Sequence, residues 1–262
     1  MTEPPFFTIG DHQIEYQWWN EPTGAGYSVV GPVAVFLHEG LGSIDLWREI
    51  PGRVADATGL PVLAYNRHGY GQSTPSTEPR TPRYMHDEAL DVLPRVLQAS
   101  GITDPILVGH SDGGSISLIY TGAGAGPVRA VALLAPHVYV EDVCFSGIAN
   151  IAAAAENNAM IEKLGRYHRD PASTFAGWRD IWLHPEFRSW DIREYLPGVE
   201  VPVLAMQGTA DEYATTNMLD EIDRLVAGPV ETLWLEGARH MAHRDAPDEL
   251  VAALTTFLTK FG

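Results

Sequence analysis

A serine in a glycine-flanked turn is the residue of this chain best placed to do chemistry. Ser111 is the centre of a G-x-S-x-G pattern at 109–113, with the apolar run Ile106–Val108 before it and an apolar helical pattern after it. At such a strand-to-helix turn the serine has strained backbone angles, and the N-terminus of the following helix favours a developing negative charge. Gly109 and Gly113 avoid the collisions that larger side chains would cause in so sharp a turn. The pattern therefore predicts a nucleophile.

A serine hydroxyl becomes a good nucleophile when a base takes its proton, a role that suits an imidazole. His240 follows the last predicted strand, and Asp211 follows the strand before it. A carboxylate there would hold the tautomer of the imidazole and stabilise its protonated form. The chain order of serine, acid and histidine is the order expected for this type of turn. Glu212, next to Asp211, remains an alternative acid.

We expect the site to work without a cofactor and without a metal. His240 and His243, together with Asp245, could suggest a metal site, but the H-E-x-x-H pattern of zinc proteases is absent from the sequence. Cys144 is the only cysteine, so no internal disulfide can form.

Length and composition indicate one α/β domain with an insertion. The chain has 262 residues, of which 45% are hydrophobic, enough for a sizeable core. Its formal net charge of −17 argues against nucleic acid or an anionic membrane surface as a partner. A small-molecule substrate is the expected partner, and the sequence leaves the oligomeric state open. The N-terminus lacks a basic region followed by an apolar stretch, so we expect a cytoplasmic protein.

The elements that must position these residues alternate between apolar strands and amphipathic helices, after a hairpin predicted over 6–19. The predicted strands are Val33–Leu37, Leu60–Tyr65, Ile106–Val108, Val128–Leu134, Val201–Met206 and Val230–Leu235. The predicted helices are Asp45–Ala57, Tyr84–Ala99, the helix whose apolar side is Ile116–Tyr120, Ile148–Leu164, Asn217–Val226 and Pro247–Phe261. Strands buried on both faces and joined by helices indicate a mostly parallel, doubly covered sheet.

Between Pro136 and Pro197 the alternation stops. We predict a helical cap over 137–195, inserted into a core of 1–136 and 196–262. The insertion contains seven aromatic residues: Tyr167, Phe175, Trp178, Trp182, Phe187, Trp190 and Tyr195. We expect some of them, with Trp178 and Trp182 as candidates, to line the entrance to the site. Trp47 could do the same, although a core position suits it equally well. A compact, partly apolar acyl or aryl group is the substrate that this composition favours.

Together these motifs resemble the α/β-hydrolase superfamily over essentially the whole chain. The resemblance rests on G-H-S-D-G-G at 109–114, H-E-G-L-G-S at 38–43, R-H-G-Y-G-Q-S at 67–73, G-T-A-D at 208–211 and R-H-x-x-H-x-D-x-P at 239–247. It implies the α/β-hydrolase fold with a helical cap and a catalytic triad of Ser111, His240 and Asp211. Members of the superfamily that act as dehalogenases or epoxide hydrolases use aspartate at the turn, so those activities are not expected here.

The resemblance also implies an oxyanion hole made by the backbone N–H groups of Asp112 and Gly40. Relatives commonly have His-Gly before the donor residue, whereas this chain has His38 and then Glu39. The donor role of Gly40 therefore departs from the usual pattern. The Glu39 carboxylate could instead contact the substrate or orient a water.

The expected function is cleavage of a small, partly apolar carboxylic ester, lactone or thioester through an acyl-enzyme intermediate on Ser111. Two alternatives stay open on the same scaffold. One is a hydrolase that cleaves a carbon–carbon bond in a diketone-like metabolite, and the other is a ligand receptor with vestigial catalysis. Turnover of short p-nitrophenyl esters distinguishes an enzyme from a receptor.

Overall fold

Eight strands form one sheet in the computed structural model, which describes residues 4–22, 29–154 and 159–262. In chain order the strands are β1 Phe6–Ile9, β2 His12–Trp19, β3 Val33–Leu37, β4 Val62–Tyr65, β5 Pro105–His110, β6 Ala130–Leu134, β7 Val203–Gly208 and β8 Val230–Leu235. Across the sheet the order is β1-β2-β4-β3-β5-β6-β7-β8. β2 pairs antiparallel with β1 and β4, and the remaining pairs are parallel. The predicted hairpin and mostly parallel sheet are confirmed.

Helices connect the strands and cover the sheet. In the described parts of the chain the α-helices are α1 Ile50–Thr58, α2 Tyr84–Asp87, α3 Leu93–Ser100, α4 Asp112–Gly122, α5 Asp142–Ala154, α6 Ala159–Leu164, α7 Pro171–Trp182, α8 Asn217–Leu225, α9 Ala242–Asp245 and α10 Pro247–Leu258. A π turn at Glu88–Val92 joins α2 to α3, and 3₁₀ turns occur at Asp45–Trp47, Pro185–Ser189 and Arg193–Gly198. None of the described helices combines the length and apolar character needed to cross a bilayer.

The central strands are covered on both faces, as β3 illustrates. Val33, Val35 and Leu37 face a core shared with α3, α4 and α8. Ala34 and Phe36 face a second core formed with α1 and α10. All five side chains are 0% exposed. Because successive strand side chains point to opposite faces, an uninterrupted apolar run is what a doubly covered sheet requires.

The helix predicted over Asp45–Ala57 is wrong in its first part. The chain forms a short 3₁₀ turn, breaks at Arg48 with φ 55°, and starts α1 only at Ile50. Pro51 explains the late start, because a proline inside a longer helix would lose a hydrogen bond and clash with the preceding turn, whereas the first turn tolerates it. The helix prediction is therefore correct only for the part of the segment that forms α1.

The segment between β6 and β7 is the helical insertion expected from the break in alternation. It begins earlier than the alanine-rich stretch predicted from Ile148, since α5 starts at Asp142. Residues 155–158 of that stretch lie outside the described residues. The aromatic side chains of Phe187, Trp182 and Trp190 pack together with ring-centroid distances of 4.9 to 6.5 Å. The boundaries 137–195 stay a prediction.

The carboxyl ends of the parallel strands meet at one edge of the sheet, which gathers the predicted site residues. Leu37 at the end of β3 pairs with Gly109 of β5, two residues before Ser111. Gly208 at the end of β7 pairs with Leu235 at the end of β8. Ligands of open α/β sheets bind at this edge.

Candidate active site

Ser111 occupies a strained turn between β5 and α4. Its backbone has φ 51° and ψ −115°, a region that non-glycine residues rarely adopt and that costs about 1–3 kcal/mol. A Cβ at Gly109 would collide with the carbonyl of Gly113, and a Cβ at Gly113 would collide with the carbonyl of Leu37. The two glycines are therefore required by the approach of backbone to backbone, as the sequence predicted.

An acid–base pair lies beside this turn. His240 Nδ1 is 3.0 Å from Oδ2 of Asp211, and Asp211 Oδ1 also accepts the backbone N–H of Tyr213 at 2.8 Å. The carboxylate accepts a hydrogen bond from the Nδ1–H group, which leaves Nε2 of the imidazole as an acceptor. Glu212 plays a different part, because its Oε2 accepts the backbone N–H of His240 at 3.0 Å. Of the two candidate acids, Asp211 is the one that faces the ring.

The pair also shifts the protonation of both members. Burial lowers the pKa of the His240 imidazole, but the negative charge of Asp211, helped by Glu212 and Glu39, outweighs burial and raises it above 6.5. Burial raises the pKa of Asp211, but the charge and hydrogen bond of His240 bring it below 3.8. Each group thus stabilises the charged form of the other. Neighbouring His137 differs, because burial lowers its pKa to about 4 and keeps it neutral at pH 7.

Ser111 and His240 line one pocket of about 660 Å³. Its volume is within the range typical of small-molecule sites, about 300–1,000 Å³. Most of the wall is apolar, formed by Leu41, Leu46, Cys144, Ile148, Ile151, Met160, Leu164, Trp178 and Trp182. The predicted contacts Glu39, Trp178 and Trp182 all lie on this pocket. Trp47 does not, since it packs in the core against Phe36 and is 2% exposed. Its predicted place at the entrance is corrected to the core.

The loop after β3 fixes the orientation of the Gly40 N–H. The carbonyl oxygen of Glu39, in the same peptide, accepts hydrogen bonds from His38 Nδ1 at 2.8 Å and Arg67 Nη2 at 2.9 Å. Because C=O and N–H point in opposite directions across a trans peptide, the Gly40 N–H points away from Arg67. Gly40 lines the pocket, and a Cβ there would lie 2.5 Å from Cδ1 of Trp178. The geometry suits an oxyanion donor that must be glycine.

The direction of the Asp112 backbone N–H also follows from the carbonyl in its own peptide. The carbonyl oxygen of Ser111 accepts the N–H groups of Gly114 at 2.9 Å and Ser115 at 3.0 Å, inside α4. The N–H in the same peptide belongs to Asp112 and therefore points out of the helix, at its N-terminal end. Asp112 also lines the pocket. A developing oxyanion there would meet this N–H donor and the favourable end of the helix dipole.

A buried ion pair, which the sequence did not single out, joins the loop after β4 to the start of α4. Arg67 Nη2 lies 3.2 Å from Oδ2 of Asp112, with the side chains 3% and 1% exposed. The Tyr84 hydroxyl donates to the same oxygen at 2.9 Å, and the Tyr70 hydroxyl donates to the carbonyl of Gly40 at 2.7 Å. The motif at 67–73 contained the signal for Arg67 and Tyr70, but their partners depend on how the loops pack. The Asp112 carboxylate is thus structural.

A second carboxylate–imidazole pair lies behind the first. Glu39 Oε2 is 3.5 Å from Nδ1 of His110, and Nε2 of His110 is 3.0 Å from the carbonyl oxygen of His240. A carbonyl oxygen can only accept a hydrogen bond, so Nε2 of His110 is the donor to His240. Burial would raise the pKa of Glu39, but His110, followed by His243 and His38, lowers it well below its usual range. The unusual glutamate therefore connects the loop after β3 to the backbone of His240.

Comparison with known proteins identifies the family of this chain. The family model described as alpha/beta hydrolase fold matches residues 32–164, about half of the chain. The chain belongs to the α/β-hydrolase family. The superfamily resemblance and the expectation of a hydrolase of this family are confirmed at that level.

Individual relatives are distant. Human monoglyceride lipase is 24% identical, over 93% of this chain and 85% of its own. Epoxide hydrolase A of Mycobacterium tuberculosis is 34% identical, but over only 30% of this chain and 25% of its own. The crystal structure of the enol-lactonase from Burkholderia xenovorans has a TM-score of 0.75 at 19% identity, covering 97% of this chain and all of that one. The structural likeness concerns the fold.

Proposed function

We propose that the protein is a serine hydrolase that cleaves a small, partly apolar carboxylic ester, lactone or thioester through an acyl-enzyme intermediate. The observation that carries the proposal is the strained Ser111 turn opening onto the same pocket as the His240–Asp211 pair. Nucleophile, oriented base and outward-pointing N–H groups form the set that acyl transfer requires.

In this mechanism Nε2 of His240 takes the proton of the Ser111 hydroxyl as Oγ attacks the substrate carbonyl. Asp211 holds Nδ1–H and stabilises the imidazolium that forms. The N–H groups of Asp112 and Gly40 bind the oxyanion, and one such donor contributes about 3–4 kcal/mol in related enzymes. The imidazolium then protonates the leaving group. A water activated by the same imidazole releases the acyl group and restores Ser111.

The pocket supports a small substrate. A volume of about 660 Å³ with a mostly apolar wall suits a compact acyl or aryl group better than a peptide or a polysaccharide. The relatives whose names state a reaction include a monoglyceride lipase and an enol-lactonase, and both names describe ester-bond cleavage. Epoxide opening receives less support, because that match covers only 30% of this chain and this turn carries a serine.

Covalent labelling tests the proposal. A fluorophosphonate probe should modify the protein once, and peptide mapping should place the adduct on Ser111. Ser111→Ala should abolish labelling and lower kcat on short p-nitrophenyl esters by about 10⁶-fold, with an unchanged thermal midpoint. Ser117→Ala is the matched control, because its hydroxyl donates to the carbonyl of Gly113 within α4; it should be labelled like the parent.

Two results would contradict the proposal. One is Ser111→Ala protein, free of contaminating esterase, that keeps more than a few per cent of turnover. The other is an adduct on a different residue. Folded parent protein that binds but does not turn over esters would favour a receptor, and turnover confined to diketones would favour carbon–carbon bond hydrolysis.

A further inference from the structure

The active-site pocket collects positive charge in an otherwise acidic protein. The chain has 34 acidic and 17 basic residues, yet five of the basic ones line this pocket. They are Arg48, Lys163, Arg166, Arg239 and Arg244. They come from three separate regions: the break before α1, the end of α6, and the segment that runs from the His240 loop into α9. All five are exposed, whereas Ser111 is buried, so they mark the open end of the pocket.

These cations differ from those elsewhere in how they are paired. Outside the pocket, nine of the twelve basic residues have a carboxylate within 4.0 Å among the described residues. Of the five in the pocket, only Arg239 has such a partner in the described parts of the chain, with Nε 3.2 Å from Oδ2 of Asp245. We call the other four, which are Arg48, Lys163, Arg166 and Arg244, the cationic rim.

The acidic residues of the pocket are engaged in other contacts. Glu39 faces His110, and Asp112 is held by Arg67. Glu212 accepts the backbone N–H of His240. None of these three carboxylates lies within 4.0 Å of a rim cation in the structure as described. The positive charge of the cationic rim is therefore available to a ligand.

We propose that the cationic rim binds an anionic group of the substrate, a carboxylate or a phosphate, while a carbonyl of the same molecule lies at Ser111. This inference rests on the proposed hydrolase function and narrows its substrate to esters, lactones or thioesters that carry such a group away from the scissile bond. Guanidinium groups bind both kinds of anion through paired N–H donors, and the lysine adds a point charge. The acidic remainder of the surface repels anions and so favours their approach to the rim.

Matched ester pairs test the inference on either side of the scissile bond. For the leaving group, 4-acetoxybenzoate and 4-acetoxyphenyl phosphate are compared with methyl 4-acetoxybenzoate. For the acyl group, mono-4-nitrophenyl adipate is compared with its methyl ester. Each kcat/KM is divided by the rate of hydroxide-catalysed hydrolysis of the same ester. At low ionic strength at least one anionic ester should exceed its neutral partner about tenfold, and the preferred ester identifies carboxylate or phosphate as the group.

Added salt and substitutions in the cationic rim should each reduce the preference for anionic esters. Raising NaCl to about 1 M shortens the screening length to about 3 Å, and the anionic-to-neutral ratio should fall severalfold. Arg48→Gln and Arg166→Gln should each lower the ratio up to about fivefold, the factor for unit charges 4 Å apart in water. Arg95→Gln removes the same charge from α3, outside the pocket, and should leave the ratio unchanged.

Failure of the inference is distinguishable from failure of the proposed function. Ser111-dependent hydrolysis without a preference for any anionic ester, or with a preference that the rim variants do not change, would overturn the inference alone. If no ester is cleaved, binding of 4-acetoxybenzoate to Ser111→Ala protein is measured by calorimetry. If Arg48→Gln weakens this binding and Arg95→Gln does not, the cationic rim binds the carboxylate as proposed. Equal binding in the two variants rejects that role of the rim.

Discussion

At the scale of single residues, the protonation of His240 sets the pH dependence of activity. The imidazole must be neutral to take a proton, and the negative charge of Asp211 raises its pKa above 6.5 despite burial. kcat/KM should therefore rise with pH through an apparent pKa above 6.5, measured between pH 5 and 9 with chemistry rate-limiting. Asp211→Asn should move that apparent pKa downwards. A flat profile in the parent would contradict the role of His240 as base.

The two adjacent carboxylates should differ sharply in their effect on catalysis. Asp211 faces the His240 ring, whereas Glu212 holds only the backbone of that residue. Asp211→Asn should lower kcat by about 10⁴-fold, because the amide favours the wrong tautomer. Glu212→Gln keeps an oxygen acceptor for the backbone N–H and should lose less than about tenfold. Equal losses in the two variants would remove the basis for assigning the acid.

Glu39 should act as a positioning residue through His110. Glu39→Gln keeps the shape of the side chain but removes the charge that faces His110 and contributes to the raised pKa of His240. We expect kcat to fall about tenfold or more and the apparent pKa of the pH profile to fall as well. A purely structural role would leave that pKa unchanged. The kcat of the double variant His110→Gln/Glu39→Gln should be little lower than that of either single variant, since the two residues act as one unit.

The residues that sequence could predict are those whose position follows from a strand end. Ser111, Asp211 and His240 each come just after a parallel strand, so their meeting at one sheet edge is foreseeable. The ion pair of Arg67 with Asp112 is not, because it depends on how two loops pack. Glu39 stood out as a departure from the family pattern, but its partner His110 emerges only from the register of neighbouring strands.

At the scale of elements, the helical insertion should control the choice of acyl group. Trp178 and Trp182 come from α7 and line the pocket, and Trp178 packs against Gly40. Trp178→Ala should raise kcat/KM for octanoate relative to acetate esters by about tenfold, because space opens next to the oxyanion loop. Phe187→Ala is the contrasting variant, since Phe187 is 0% exposed and does not line the pocket. It should instead destabilise the fold by about 3–5 kcal/mol.

Trp178→Ala should change ester selectivity, whereas Phe187→Ala should lower the thermal midpoint. Chain-length profiles on p-nitrophenyl esters are compared with thermal midpoints. If Trp178→Ala lowers activity on all esters equally together with its thermal midpoint, the tryptophan belongs to the folding core rather than to the acyl site.

Elements differed in how well they could be predicted. The strand Val230–Leu235 and the start of α8 at Asn217 match the structure, because apolar periodicity and flanking turns define them. The break at Arg48 was missed, since periodicity continues across it and only Pro51 indicates the late start of α1. α9 was also missed, because four residues are too few to establish a helical period.

At the scale of the whole molecule, buried neutral histidines should make the fold sensitive to mild acid. Burial lowers the pKa of His137 to about 4 and that of His243 to about 3. Both take up protons near pH 6.5 in the unfolded chain, so the unfolded state binds more protons below that pH. Each histidine therefore contributes stability that is present above pH 6.5 and is lost as the pH falls, by about 2 kcal/mol at pH 5. His240 acts in the opposite direction, because its raised pKa favours the folded state in acid.

His243→Phe tests this linkage with little change in packing. The imidazole lies against Trp47 and His110 with ring-centroid distances of 5.6 and 5.2 Å, and neither ring nitrogen has a hydrogen-bond partner among the described residues. A phenyl ring therefore loses no hydrogen bond and cannot take up a proton. Urea unfolding at pH 7.5 and 5.0 should show that the variant loses about 2 kcal/mol less than the parent on acidification. Exposed His184 is the control, and His184→Asn should follow the parent. A loss in His243→Phe equal to that of the parent would show that acid acts on the fold elsewhere.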